Sequence, residues 1–276
     1  MSVLQSTQNL GQIPETMLIT LWAKAEEIKR PNPLLKDEKA VEILEQVDYD
    51  FTKFKKSVMS QVGVCIRASL IDKEANEFIK KNPDAVVIQL GAGLDARYER
   101  LGAPEVTHWY ELDVPESIEL RKRFFNESAH HTFLAMSLFD YRWIDIVKAH
   151  QKPVLIILEG VLMYFPKNEV EAFFQKVCQE FEEATVLLDI LAYVFVKQAK
   201  HHDTVSKVGD GNVPEFKWSE LFTREMEKWN PKIHLEKEYY MSDYDQKRFP
   251  FIFRMLYKIP LFYRKFNQRI IRLRIS

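Results

Sequence analysis

Residues 86–101 read VVIQLGAGLDARYERL, a short apolar run that leads directly into two glycines one position apart. The run is bounded by Pro83 and Gly91, which is typical of a buried parallel strand. Glycines at such a turn let the backbone approach a ligand where any Cβ would collide, and the helix expected after Gly93 directs its first N–H groups at that ligand. Only eight of the 276 residues are glycine, so this pair indicates a backbone requirement. The stretch predicts a nucleotide-binding turn.

Strand and helix patterns alternate around this turn. Five apolar runs are typical of strands: AVVIQL (85–90), VTHWYEL (106–112), HTFLAM (131–136), PVLIILEG (153–160) and ATVLLDIL (184–191). Between them, helical spacing is found in SIELRKRFF (117–125) and KNEVEAFFQKVCQEF (167–181). This alternation predicts an α/β fold, in which helices cover both faces of a mostly parallel sheet.

The chain is predicted to form one domain over 1–276, because no repeat, low-complexity tract or Gly/Ser linker interrupts it. Its N-terminal part has helical spacing, with Asp37 placed to cap one of the helices. The predicted parts are a helical N-terminal cover (1–82), a cofactor-binding α/β core (83–192), a lid or acceptor region (193–231), and C-terminal strands and helix that complete the sheet (232–276).

The two C-terminal runs KIHLEKEYYM (232–241) and RIIRLRI (269–275) alternate as strands do. The second run predicts an inward-facing and an outward-facing set of side chains: Ile271, Leu273 and Ile275 against Arg272 and Arg274. We interpret the basic stretch from Arg264 to Arg274 as the solvated face of an edge strand, in preference to a nucleic-acid patch.

Composition excludes several classes of function. The formal net charge is -1, from 39 Lys+Arg and 40 Asp+Glu, which gives no general attraction to nucleic acid. Cys65 and Cys178 are far apart and cannot form a disulfide framework or a cysteine-rich metal site. The N-terminus lacks an apolar signal region, and no apolar run reaches about 18 residues. We expect a soluble, cytoplasmic protein with no nucleic-acid or membrane partner; its oligomeric state is unknown at this stage.

Acids at the ends of two predicted strands add to the glycine turn. Asp113 lies about 20 residues beyond Gly93, the spacing at which an acid reaches a ribose hydroxyl pair. Glu111 faces the same side two positions earlier, so both acids remain candidates. Glu159 closes the most apolar strand, at the edge where open α/β sheets bind ligands. A buried charge there requires a partner, which is either a bound sulfonium or amino group or a helix cap or salt bridge within the protein.

Two cofactor classes fit this turn, a nicotinamide dinucleotide and S-adenosylmethionine, because both contain an adenosine. Ala96 could supply the third small residue that a pyrophosphate prefers. However, Asp95 and Glu99 place negative charge where a pyrophosphate would lie, whereas S-adenosylmethionine has no phosphate and a positive sulfonium. This contrast favours S-adenosylmethionine. A nicotinamide oxidoreductase and a non-catalytic cofactor-binding protein remain alternatives.

Four stretches carry a family resemblance: LGAGLDAR (90–97), YELDVPESIELRKRFF (110–125), SLFDYRW (137–143) and LEGVLMYFPKNEVEAFF (158–174). In order and spacing they resemble the leucine carboxyl methyltransferase family, above all its bacterial branch of polyketide-biosynthesis O-methyltransferases. LWAKAEEIKRPNPLLKDEKAVEIL (21–44), HHDTVSKVG (201–209) and FKW (216–218) are similar too, so the resemblance covers nearly the whole chain. It implies a class I S-adenosylmethionine-dependent methyltransferase fold, which is Rossmann-like.

The resemblance implies a role for each matching residue around the adenosine. Gly91 and Gly93 would form the cofactor turn, and Asp113 would hold the ribose hydroxyls. Ser137 and Leu138 match the pair that frames the adenine.

Three further residues match positions near the methionine part of the cofactor. Glu159 would lie beside it, Arg67 matches the family arginine that binds the cofactor carboxylate, and Lys24 matches a second basic residue there. The usual LGAGLDTR of the family reads LGAGLDAR here, so Ala96 lacks a hydroxyl that could bond within the turn.

The implied reaction moves a methyl group from S-adenosylmethionine, leaving S-adenosylhomocysteine, to an oxygen of a small-molecule acceptor such as a polyketide-like or carboxylic acid metabolite. The leaving group is a neutral thioether, so the enzyme mainly has to position the nucleophile. A carboxylate acceptor needs no general base, whereas a hydroxyl acceptor benefits from one. No residue is identified as a base, and Tyr164 is predicted to contact the acceptor.

The HHD triplet at 201–203 invites a metal site, but no third ligand lies at a suitable spacing. We therefore predict a solvated loop there and no metal. The loop over 201–217 is expected to close over the acceptor and exclude water.

Overall fold

The structure is a computed structural model that describes residues 5–6, 15–208 and 213–276. Its strands are β1 (Gln5–Ser6), β2 (Val47–Asp48), β3 (Val86–Leu90), β4 (His108–Asp113), β5 (His131–Ala135), β6 (Val154–Leu158), β7 (Ala184–Ile190), β8 (Ile233–Tyr240) and β9 (Arg269–Ile275). The first two strands pair in parallel by themselves, and the other seven form one sheet.

The α-helices are α1 (Met17–Glu27), α2 (Glu38–Gln46), α3 (Val58–Lys81), α4 (Arg97–Arg100), α5 (Pro115–Arg121), α6 (Arg142–Lys148), α7 (Lys167–Glu180), α8 (Phe251–Leu256) and α9 (Pro260–Phe266). Short 3₁₀ turns occupy Phe51–Phe54, Leu162–Tyr164, Tyr193–Phe195, Ala199–His201, Val205–Lys207, Thr223–Lys228, Met241–Asp243 and Gln246–Arg248. Among the described residues, none of these helices is long and apolar enough to cross a membrane.

The seven-stranded sheet has the order β5-β4-β3-β6-β7-β9-β8. The strands from β5 to β7 are parallel, and β9 runs antiparallel to both of its neighbours. The chain first builds outward from β3 and then returns to add β6 on the other side of β3, so strand order reverses between these two strands. A reversal of this kind leaves a crevice at the carboxyl ends of the strands, where open α/β sheets bind ligands.

Helices cover both faces of the sheet, as the alternating pattern predicted. Val86 and Ile88 of β3 pack with Phe173 of α7 on one face. Val87 packs with Ile66 of α3 on the other face. β3 and β6 are buried along their whole length, because each is enclosed by neighbouring strands and by both helical layers.

The N-terminal helices agree with the predicted pattern. Asp37 caps α2, because its side chain accepts a hydrogen bond from the backbone N–H of Ala40 at 2.9 Å.

Cys65 of α3 and Cys178 of α7 are both buried and free. The helix after the glycine turn is shorter than expected, since α4 is a single turn.

The position predicted for the C-terminal strand was wrong. β9 is not an edge strand, because it lies between β7 and β8, and β8 forms the edge. The three predicted inward-facing side chains are buried, but so are Ile270 and Arg269. The guanidinium of Arg269 donates to the carbonyl of Glu220 and to Thr223 Oγ1, so it belongs to the protein interior. Alternation alone does not show on which side a later strand will pair, and here β8 covers the outer side of β9.

Candidate active site

A cavity of about 630 Å³ opens at the carboxyl ends of β3, β4, β5 and β6, within the size range of small-molecule sites. It spans the point where strand order reverses. All predicted site residues except Glu111 line this cavity: Lys24, Arg67, Gly91, Gly93, Asp113, Ser137, Leu138, Glu159 and Tyr164. The sequence motifs therefore converge in space.

The glycine turn has the backbone conformation that favours glycine. Gly91 and Gly93 have φ values of 72° and 50°, in the left-handed region. A Cβ at Gly91 would also collide with Val161, and one at Gly93 would lie 3.0 Å from Cβ of Met17 in α1. Both glycines are required by space as well as by conformation.

Asp113 is joined to this turn through its carboxylate. Its Oδ2 accepts a hydrogen bond from the Gly93 N–H at 2.7 Å, and its Oδ1 accepts one from the Val114 N–H at 2.8 Å. Burial nevertheless raises the pKa of Asp113, and these two bonds oppose the rise. The carboxylate is therefore held at the cavity wall in a fixed orientation.

Glu111 lies outside the cavity, so it does not fit the predicted role at the cofactor. Its carboxylate is fully buried, pairs with Arg121 of α5 and lies 2.8 Å from Nε2 of His131. Although Glu111 and Asp113 face the same side of β4, Glu111 lies deeper under α5. Only Asp113 reaches the end of the strand, where a ligand can approach.

Buried ion pairs surround Glu159 at the centre of the cavity. Arg67 Nε lies 2.9 Å from one carboxylate oxygen of Glu159, and Arg97 binds the other. Arg67 Nη1 also lies 3.2 Å from Asp189 Oδ2, which extends the cluster to the end of β7. Burial by itself raises the pKa of Glu159, but the two guanidinium groups outweigh it and bring the pKa to about 2. Glu159 is therefore a fixed negative charge.

A second ion cluster involves Lys24, whose ammonium is 2.5 Å from Asp95 Oδ1. Arg97 and Arg100 lie 2.9 Å and 2.8 Å from the same carboxylate. The negative charge of Asp95 is already balanced by three cations. Asp95 therefore disfavours a pyrophosphate less than the sequence suggested. Glu99 is exposed and lies outside the cavity, so it contributes nothing to that argument.

The residues predicted to frame the adenine lie after β5. Ser137 is exposed and its hydroxyl accepts a hydrogen bond from the Phe139 N–H at 3.2 Å, whereas Leu138 is buried. Leu138 and Val114 supply apolar walls on this side. The part of the cavity from the glycine turn to Leu138 is called the cofactor half below.

The opposite part, beyond Glu159, is called the acceptor half. Tyr164 lies here, buried and 5.5 Å from Phe216 between ring centroids. Burial raises the pKa of Tyr164 to about 12, so its phenol keeps its proton. Further aromatic walls come from the C-terminal helical region: Phe249, Phe253, Tyr257 and Phe266.

The prediction of a solvated loop at the HHD triplet was wrong for His202. His201 is exposed, but the ring of His202 packs edge-on against Phe195 at 5.1 Å and Phe216 at 5.6 Å. The carboxylate of Asp203 accepts the hydroxyl of Ser60 from α3. Residues 201–205 are thus anchored to the body of the protein and line the cavity, while residues 209–212 of the predicted loop lie outside the described residues.

The hydrogen bonds of His202 indicate which ring nitrogen carries the proton in the neutral form. Its Nδ1 accepts from the Val205 N–H at 3.4 Å and lies 3.2 Å from Thr204 Oγ1, so we assign the proton of the neutral ring to Nε2. Burial lowers the pKa of His202, and the opposing effect of Asp203 is smaller. The neutral imidazole is therefore a hydrogen-bond donor through Nε2. Over the residues 5–6, 15–208 and 213–276, no group of three His, Cys, Asp or Glu could hold a metal ion.

Sequence reasoning missed several residues of this site. Asp189 carried the same signal as Glu159, a charge within a strongly apolar run, and was not used. Arg97 stood inside the glycine motif, but its pairing with Glu159 depends on strands that are distant in sequence. His202 stood in the HHD triplet of the loop expected near the acceptor, but its packing between Phe195 and Phe216 had no signal in the sequence.

Comparison with protein families matches residues 17–178 to the leucine carboxyl methyltransferase model. The tetracenomycin polyketide synthesis O-methyltransferase TcmP of Streptomyces glaucescens is 30% identical over 237 residues, which covers 86% of each chain. The S-adenosyl-L-methionine-dependent methyltransferase dpfgK of Gibberella zeae is 25% identical over 257 residues, which covers 83% of each chain.

Solved structures show the same fold. A DUF574 family protein from Streptomyces avermitilis superimposes with a TM-score of 0.57 at 10% identity, covering 93% of this chain and 97% of that chain. A SAM-dependent methyltransferase from Anabaena variabilis superimposes with a TM-score of 0.52 at 10% identity, covering 83% and 96%. At such low identity these likenesses concern the fold alone.

Proposed function

This chain belongs to the leucine carboxyl methyltransferase family and is an S-adenosylmethionine-dependent O-methyltransferase, and we propose that its acceptor is a small molecule that presents a carboxylate oxygen. The observation that carries this proposal is the absence of a buried free base in the described part of the acceptor half. The nicotinamide alternative has no support, since the relatives that cover most of the chain are methyltransferases.

The residues of the cofactor half fit S-adenosylmethionine. Gly91 and Gly93 line the cavity in the left-handed conformation that the turn requires, and we propose that Asp113 presents its carboxylate to the ribose. We assign Ser137 and Leu138 to the adenine. When bound, the cofactor supplies a methyl group on a positively charged sulfur. Glu159 lies at the centre of the cavity, and its own charge is balanced by Arg67 and Arg97.

Arg67 is suited to the cofactor carboxylate. Its Nε donates to Glu159 and its Nη1 donates to Asp189. These two bonds orient the guanidinium and leave Nη2 for a ligand. We place Lys24 close to the same carboxylate as a balancing charge, because its ammonium is bonded to Asp95. Both residues thereby keep the cofactor in one position relative to the acceptor.

The acceptor half brings polar groups to the cavity, but the buried ones are poor bases. Tyr164 and Tyr257 hold their protons, since burial raises the pKa of each to about 12. Asp203 already accepts the Ser60 hydroxyl, and Nδ1 of His202 faces the Val205 N–H. An acceptor that is already ionised at neutral pH needs none of these groups as a base, which favours a carboxylate over a hydroxyl.

The shape of the acceptor half suggests an apolar, aromatic acid. Tyr164, Phe216, Phe253 and Tyr257 line it, and flat rings pack well against such walls. TcmP is named for tetracenomycin polyketide synthesis, so a polyketide-like acid is the acceptor class we propose. Residues 193–231 would then form the acceptor region and 1–82 the cover, within one domain.

Methyl transfer from labelled S-adenosylmethionine tests the carboxylate proposal. Naphthoic acid and naphthol form a matched pair of acceptors that differ in the reacting group. We expect label in the acid only, and release of that label as methanol in mild alkali, because methyl esters hydrolyse there and methyl ethers do not. Alkali-stable label in naphthol would instead assign a hydroxyl acceptor.

We propose that His202 Nε2 donates a hydrogen bond to the acceptor carboxylate. Replacing His202 by phenylalanine is expected to raise the acceptor KM by roughly tenfold or more, because this hydrogen bond to a charged oxygen is lost. The affinity for S-adenosylmethionine should not change, since His202 lies in the acceptor half. Steady-state kinetics and calorimetry measure the two quantities separately. Phe keeps a flat ring between Phe195 and Phe216.

The variant His202→Gln is the matched control, because an amide can donate a hydrogen bond but cannot act as a base at neutral pH. We expect it to recover much of the acceptor affinity. If it behaves like His202→Phe and kcat is lost in both, the imidazole is a general base and the acceptor is a hydroxyl.

A further inference from the structure

The two C-terminal helices α8 and α9 expose an unusual amount of apolar surface. Neither helix has a single buried residue. Phe251 and Leu261 are 67% and 66% exposed, and three more large apolar side chains between them are exposed: Ile252, Met255 and Ile259. We call these five side chains the apolar patch. A concentration of large exposed apolar side chains within eleven residues is typical of an interaction site.

Neighbouring segments extend the apolar patch. α9 packs against the 3₁₀ turn Tyr193–Phe195, and Tyr193 is exposed there. Arg264 of α9 lies over the ring of Phe222, another exposed aromatic side chain, at 4.8 Å from its centroid. Most of the large exposed apolar side chains that the structure describes are therefore gathered on one side of the protein.

The chain segment that carries the apolar patch is cationic. From Gln246 to Ser276 the sequence contains no Asp or Glu. Five cations of the helical segment have no carboxylate within ion-pair distance in the described part of the chain: Lys247, Arg254, Lys258, Arg264 and Lys265. Arg248 is different, because it pairs with Glu27 at 3.1 Å. Unpaired cations beside exposed apolar groups complement a surface that is both apolar and anionic.

Contacts on the inner side hold the two helices on the body. Tyr263 stacks on Tyr240 at 4.7 Å and its hydroxyl donates to Asp243 at 2.7 Å. Phe253 and Tyr257 face the cavity. The apolar patch contributes to none of these contacts, so folding does not explain why it is apolar.

From these observations we propose that α8 and α9 dock the protein on the surface of membranes that contain anionic lipids, with the apolar patch inserted among the headgroups. A second copy of the chain is the less favoured occupant, because a two-fold contact would place the same unpaired cations against each other. The helices would lie in the interface without spanning the bilayer. This revises the expectation that the protein has no membrane partner.

Sedimentation of the full chain with vesicles tests the proposal. We expect binding to phosphatidylcholine vesicles that contain phosphatidylglycerol, loss of that binding at high salt, and little binding to pure phosphatidylcholine. The variant Ile252→Ser/Leu261→Ser should bind at least about tenfold more weakly, since two apolar insertions are lost. Val58→Ser, an exposed apolar residue at the start of α3, is the matched control and should leave binding unchanged.

The charge contribution is tested by Lys247→Gln/Lys258→Gln. Each cation near an anionic membrane contributes about fivefold to binding, so the pair should weaken it roughly 25-fold. Lys80→Gln/Lys81→Gln is the control, because these exposed lysines end α3 just before the amino end of β3, whereas α8 and α9 follow the carboxyl end of β8. Absence of binding to anionic vesicles, or equal binding by all variants, would overturn the proposal. A concentration-dependent dimer that Ile252→Ser/Leu261→Ser abolishes would overturn it too, in favour of self-association. None of these readouts depends on methyl transfer.

Discussion

Asp113→Ala is expected to lower the affinity for S-adenosylmethionine by roughly a hundredfold or more. The carboxylate would bind both ribose hydroxyls, and each hydrogen bond to a charged group contributes about 1.5–3 kcal/mol. The same carboxylate also holds the Gly93 and Val114 N–H groups, so its loss relaxes the turn as well. Isothermal titration calorimetry measures this affinity directly.

Two control variants separate the ribose contact from general damage. Asp113→Asn keeps the shape and one acceptor oxygen, so its loss of affinity should be smaller. Glu111→Gln changes an acid on the same face of β4 that is buried with Arg121 and His131, so it should lower stability and leave the affinity of the folded protein unchanged. Wild-type affinity in Asp113→Ala would show that the ribose assignment is wrong.

The second large effect is expected on stability, from Arg67→Ala. Among the described residues, Arg67 is the only cation that forms an ion pair with Asp189. Without it, Glu159 keeps only its ion pair with Arg97 within the described part of the chain. Removing one partner of a buried ion pair costs about 3–5 kcal/mol, because the remaining charge stays buried without compensation. Urea unfolding of the ligand-free protein measures the free energy of unfolding. Arg142→Ala is the matched control, since this arginine pairs with Asp140 on the surface, and its effect should stay within about 1 kcal/mol.

Arg67→Ala should also weaken the binding of S-adenosylmethionine by about 1.5–3 kcal/mol, the contribution of one hydrogen bond to a charged group. The two effects are distinguished by titrating the cofactor under conditions in which the variant is folded. A destabilised variant with unchanged cofactor affinity would make Arg67 a purely structural residue. A Cβ added to Gly160 would lie 3.2 Å from Arg67 Nη2, so the guanidinium of Arg67 has little room to move.

Much of the fold and half of the site could be predicted because the signals are local. The strand at 85–90 and its glycines depend on backbone conformation and burial within one short stretch, and the structure confirms them at β3 and at the turn. Lys24 and Glu159 lie in stretches that match the family, and Arg67 matches a single family arginine. The resemblance therefore pointed to residues that line the cavity, although their pairing is non-local.

Tertiary structure decided what depends on depth and on partners from other parts of the chain. Asp113 and Glu111 share one side of a strand, and only the position of α5 shows that Glu111 is covered. His202 is a cavity residue because Phe195 and Phe216 enclose it, not because of its own neighbours in sequence.

The C-terminal part shows the same division. The alternation at 269–275 correctly predicts a strand, but its placement between β7 and β8 depends on pairing with distant strands.

By itself, the sequence determined the α/β core, the glycine turn and the family, because local backbone requirements and apolar periodicity specify them. Only the tertiary structure decided which charges are balanced, which acid meets the ligand and which apolar side chains remain exposed, because these properties depend on contacts between residues far apart in the chain.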